Sequence, residues 1–115
     1  MINRSNKAEM LLREQLMKIS TDLCSGIDQS PLGSAVRRLF PRLKKIFLIR
    51  WIPEQAEDIY WFVVSDSEIA RIEIIRCDDF DENSVKMEIL NVEEYSRQGL
   101  SREVRRKLAL ALELI

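Results

Sequence analysis

The chain has 115 residues, 46% hydrophobic and 32% charged, with 18 basic against 19 acidic side chains and a formal net charge of −1. That balance describes one ordinary globular domain, residues 1–115, and excludes a disordered chain. With no histidine, Ser-His-Asp and Cys-His nucleophile systems and His-ligated metals are excluded too, and Gly26, Gly33 and Gly99 stand too far apart for a phosphate-cradling loop.

Met1–Ser5 reads as a loose end, and Met1–Leu12 lacks the apolar core of a signal peptide. No apolar run approaches a bilayer span, so a cytoplasmic home is the expectation. Asn6 and Glu9 form a capping-box pattern that opens a helix running to about Leu23. Ala8, Leu12, Leu16, Ile19 and Leu23 recur at helical spacing and form the face expected to meet the core. Met10, Met17 and Cys24 recur every seven residues on another side of that helix. They are either covered by the following loop, tolerated at the surface, or a contact stripe for a partner or a second copy. Cys24 and Cys77 lack metal-ligand spacing and read as free, buried thiols.

Ser25–Ser34 reads as a loop, with Ser34 capping a short helix Ala35–Phe40 that Pro41 ends. Three strands follow: Leu43–Ile52, Asp58–Ser65 and Glu68–Cys77. In the first, Phe47, Ile49 and Trp51 alternate with Ile46, Leu48 and Ile52. In the second, Ile59, Trp61 and Val63 alternate with Tyr60, Phe62 and Val64, so both strands need cover on both faces. The third sets Ala70, Ile72 and Ile74 against Arg71 and Glu73. A fourth, Val85–Leu90, turns Val85, Met87 and Ile89 inward and Lys86 and Glu88 outward. Asn91 with Glu94 caps a short helix, Gly99 ends it, and Ser101 caps a last helix, Arg102–Ile115, that buries Val104, Leu108, Leu112 and Ile115 with Ala111 and Leu114 beside them. The predicted fold is α+β: a four-stranded antiparallel meander flanked by an N-terminal helix, a short second helix and C-terminal helices.

In a meander, the link between strands one and two lies at the same end as the link between strands three and four. The first link carries Glu54, Glu57 and Asp58, and the second carries Asp78, Asp79, Asp81 and Glu82, with no Lys or Arg in either. Three readings fit this acidic rim: solubilising loops, a cation site, or a dock for a basic protein surface. Asp79-Phe80-Asp81-Glu82-Asn83 begins like a calcium loop, but Ser84 replaces the turn glycine and Leu90 stands where the bidentate Glu belongs, so no metal is assigned. Trp51 and Tyr60 are the aromatic candidates for a partner contact beside the rim. Arg37, Arg38, Arg42, Lys44 and Lys45 are expected at the opposite end together with Arg97, Arg102, Arg105, Arg106 and Lys107. They raise a nucleic-acid hypothesis, which the slightly negative net charge and the strand placement of the aromatics oppose.

The Asp58-Ile59-Tyr60-Trp61-Phe62 strand, the acidic link and the Leu100-Ser101…Lys107-Leu108-Ala109-Leu110-Ala111-Leu112 helix resemble small bacterial immunity proteins, encoded beside polymorphic or contact-dependent growth-inhibition toxins. The resemblance covers size, helix–sheet–helix plan and charge style, without a diagnostic motif. It implies a non-enzymatic cytoplasmic protein that binds one toxin domain, often a nuclease, and blocks its active site, with no catalytic residue and no cofactor. The contact residues are then Glu54, Glu57, Asp58, Asp78, Asp79, Asp81, Glu82, Trp51 and Tyr60. The alternatives are a secretion-type chaperone or adaptor that dimerises or holds an extended segment, and a small nucleic-acid-binding module.

Overall fold

The computed structural model describes residues 4–77 and 82–115. A helix α1 (Arg4–Ser25) and a helix α2 (Pro31–Leu39) precede strands β1 (Phe47–Pro53), β2 (Glu57–Val63) and β3 (Glu68–Ile75). A 3-10 turn at Glu82–Ser84, strand β4 (Val85–Asn91) and helices α3 (Val92–Ser96) and α4 (Arg102–Leu114) follow. The four strands form one antiparallel sheet in the order β1-β2-β3-β4, the expected meander.

α1 begins at Arg4, so Asn6, expected as its cap, lies inside the helix; the other helix ends follow from local chemistry. Gly26, at φ 91°, lets the chain leave α1 through the left-handed region. α2 starts three residues before the Ser34 cap expected from sequence: Ser30 accepts the N–H of Gly33, and Pro31 takes the first turn, where its missing N–H leaves no bond unmade. Asn91 and Ser101 cap α3 and α4 through the N–H groups of Glu94 and Val104, as expected.

Both faces of the sheet are covered, but unevenly. On one, Phe47, Ile49, Ile59, Trp61, Val63 and Ile69 pack with Leu16 of α1, Tyr95 of α3 and Leu108, Leu110 and Ala111 of α4. On the other, Phe62, Ala70, Ile72 and Ile74 pack with Ala35 and Val36 of α2 and Leu23 of α1. α1 thus contributes to both layers. At the point between them Ser20, 2% exposed, accepts the N–H of Ile46 at 2.9 Å. Ser20 therefore takes an inward place in the helix, while Ala8 and Ile19 of the expected stripe stand exposed. In α4, Leu110 is buried along with Leu108 and Ala111, whereas Val104, Leu112 and Ile115 are only half-buried.

β1 departs from simple alternation. Leu48 pairs with Phe62 but Arg50 pairs with Trp61, so Ile49 is an extra residue, a β-bulge. The bulge moves Trp51 onto the face of Leu48, opposite Tyr60, and Ile52 onto the face of Phe47, opposite Ile59. It also brings the Arg50 guanidinium over the Trp61 ring, 4.8 Å from its centroid, with Arg71 at 5.5 Å. β4 differs as well. Its register with β3 is regular, but α2 does not cover it, and Met87 and Ile89, expected inward, are 39% and 43% exposed.

Candidate functional site

The sheet end carrying the β1–β2 link gathers the described candidates. Ile74 and Asp58 are register partners, the Arg76 N–H donates to the Ala56 carbonyl at 2.9 Å, and Glu54 donates its N–H to the Glu57 carbonyl at 2.7 Å. Ile74 also pairs with Val85, so the chain leaves β3 and returns to β4 at this same end. Asp78, Asp79 and Asp81, and with them the first three residues of the calcium-like run, lie outside the described residues, and the Glu82 side chain is likewise not described. Among the described residues no group of three or more carboxylates and thiols could hold a metal ion.

Among the described residues Trp51 is the most exposed aromatic side chain, at 55%, and it is held in place. Its indole Nε1–H donates to Asp58 Oδ1 at 3.1 Å, and its ring lies parallel to Tyr60 within 5°, with centroids 6.1 Å apart. Tyr60 in turn stacks on Phe62 at 6.2 Å. The bulge makes this ladder, because without it Trp51 would point to the other face. Burial pushes the Tyr60 phenol up, as do the Asp58 and Asp28 carboxylates, while Arg76 opposes them.

Asp58 has two roles already filled. It orients the indole, and it lies 3.6 Å from the Arg76 guanidinium with its side chain 14% exposed. It is a positioning residue more than a free carboxylate. Arg76 corrects the expected all-acidic rim: β3 ends at Ile75, so this cation belongs to the connection and not to the strand. The exposed acids among the described rim residues are Glu54 and, half-buried, Glu57. At this end a groove of about 420 Å³ runs between Asp58 and Tyr60 of β2, Arg76 just past β3, and Pro31 and Leu32 of α2.

The basic side chains do not form a single pole. Lys45 Nζ donates to the Leu114 carbonyl at the end of α4, whereas Arg102 opens that 13-residue helix, about 18 Å along it, and Arg106 lies about 12 Å along it. Several serve the fold. Arg37 donates to the carbonyls of Leu23, in the last turn of α1, and of Asp28 beyond it, Arg105 donates to the Ser96 and Gln98 carbonyls, and Arg97 and Lys107 pair with Glu93 and Glu103. Met10 and Met17 are exposed on α1, as are Leu11 and Ile19. Both cysteines are free. Cys24 is half-buried, and burial pushes its thiol up against a Ser20 hydrogen bond; Cys77, expected buried, is exposed, with its Sγ 3.4 Å from Ser84 Oγ.

Sequence reasoning missed Arg50, Arg76 and the bulge. An arginine interrupting an otherwise apolar strand at Arg50 was the available sign that the alternation breaks there. Among the described residues no helix is long and apolar enough to cross a membrane. No protein-family model, curated protein or solved structure matches this chain.

Proposed function

We propose that the chain is a non-enzymatic binding protein of the immunity type, which neutralises a toxin domain by seating the acidic, Trp51-bearing end of its sheet over the toxin's active site. The observation that carries this reading is the locked exposure of Trp51. A large ring that is half in water yet fixed by a hydrogen bond and a parallel stack loses little conformational freedom when a partner covers it, and such aromatic anchors dominate interface energetics. Glu54 and Glu57 at the same end of the sheet, with Asp78, Asp79, Asp81 and Glu82 of the second link, supply the carboxylates that would speed encounter with a cationic nucleic-acid-binding cleft. Asp58 and Tyr60 hold the anchor.

The test is calorimetric titration against an inactivated toxin domain encoded beside this chain, together with survival of cells that express the active toxin. Wild-type chain should form a one-to-one complex and protect. Trp51→Ala should weaken binding roughly 30-fold, about 2 kcal/mol. Glu54→Gln with Glu57→Gln should slow association and flatten its salt dependence. A toxin fully active at saturating chain rejects the immunity function, and unaltered affinity of the Trp51 variant rejects this surface.

A further inference from the structure

The two edges of the sheet are built differently. β1 carries the bulge at Ile49, ends on Pro53 and has α1 packed beside its start, all devices that stop a strand from pairing further. β4 has none of them: it is seven residues of regular register without proline, glycine or bulge. Val92 donates its N–H to the Ser67 carbonyl at 2.9 Å, one step beyond the Glu68–Asn91 pair. Alternation from that bond directs the main-chain groups of Leu90, Glu88 and Lys86 toward β3. Those of Val85, Met87 and Ile89 point to the open edge, where no strand among the described residues meets them.

We infer that this edge pairs with the β4 edge of a second copy, antiparallel and two-fold symmetric about Met87. The side chains select that register. Centred on Met87, Lys86 faces Glu88 of the other copy and Glu88 faces its Lys86, while Val85 faces Ile89 and Met87 meets its own counterpart on the opposite face. The charges also continue the pairs inside each sheet, where Glu88 is the register partner of Arg71 and Lys86 that of Glu73. Arg71, Glu88, Lys86 and Glu73 then form one row of alternating sign across the joint. A centre on Lys86 or on Glu88 sets like charges opposite each other, which is unfavourable. A centre between residues sets Met87 against a charged side chain. The Met87 register makes about six main-chain hydrogen bonds, two for each of three facing pairs, and covers Met87 and Ile89, now 39% and 43% exposed. The surface is separate from the Trp51 end and stands whether or not the immunity reading holds.

Sedimentation velocity of the full chain over a range of concentrations, with two charge variants, tests this. Wild type should show a monomer–dimer equilibrium. Glu88→Lys alone and Lys86→Glu alone should each weaken dimerisation at least tenfold, because each sets like charges opposite across the joint. Mixed one to one, the two variants should restore a heterodimer, since a chain with two lysines then faces a chain with two glutamates. The mixture also separates lost pairing from lost folding. Wild type that stays monomeric up to the highest concentration overturns the inference. So do single variants that dimerise like wild type, or a mixture that stays monomeric.

Discussion

Replacing Ser20 with alanine sets two effects of known size against each other. Alanine is the better helix former, by about 0.5 kcal/mol in a helix interior, and α1 continues through this position. Against that gain, the Ser20 hydroxyl is the acceptor for the Ile46 N–H at 2.9 Å, and both residues are buried. Ile46 precedes β1, so no strand partner can replace the lost acceptor. An orphaned buried N–H costs about 1–3 kcal/mol, more than the propensity gain. The variant should lose about 0.5–2.5 kcal/mol, which for a domain near this size lowers the thermal midpoint by roughly 2–15 °C. Urea unfolding followed by far-UV circular dichroism measures it as a lower midpoint with an unchanged slope. A second signal is independent of stability. Ser20 also hydrogen-bonds Cys24 and holds its thiol lower than burial alone would leave it, so the variant's Cys24 should need a higher pH to react. A Ser20→Ala protein as stable as wild type, with Cys24 reactivity unmoved, would refute the claim that this hydroxyl ties α1 to the start of the sheet.

The Tyr95 side chain is 1% exposed and, among the described residues, its hydroxyl makes no hydrogen bond of good geometry; the Arg50 guanidinium close by favours the phenolate as a donor and then by its charge. Tyr95→Phe should therefore be neutral or stabilising by about 1 kcal/mol in chemical unfolding at pH 7, and a loss above 2 kcal/mol would show a partner that the geometry does not. Burial pushes the Tyr95 phenol above its ordinary value of 10.0, outweighing Arg50. The folded state then holds this proton more tightly than the unfolded one, so its contribution is complete below pH 10 and declines as the pH rises through the folded value. The Phe variant should lose that part of the alkaline slope, read from urea midpoints at stepped pH. At Gly33 an added Cβ would lie 2.1 Å from the Asp28 carbonyl oxygen, which Arg37 holds at 2.6 Å. Gly33→Ala should cost more than about 2 kcal/mol despite alanine's helix preference of about 1 kcal/mol, and an equal or higher urea midpoint would contradict that packing.

What local chemistry specifies was legible in the sequence. The caps at Asn91 and Ser101 needed only a side-chain oxygen three residues before an open N–H, and the order of the strands followed from short links that force neighbours to pair. The start of α2 was misplaced because Pro31 and Gly33 resemble loop residues, although proline is favoured in a first helical turn. The rest depended on contacts between distant segments. An extra residue at Ile49 turned Trp51 toward Tyr60 and Arg50 toward Trp61, and strand periodicity cannot show a slip that a partner strand imposes. Arg76 entered the acidic end because β3 stops one residue before it. Met87 and Ile89 have the inward pattern of a core strand, yet α2 is nine residues long and does not reach them, so water does. Alternation tells which side chains share a face. Whether anything covers that face is decided by the length and position of the helix packed on it.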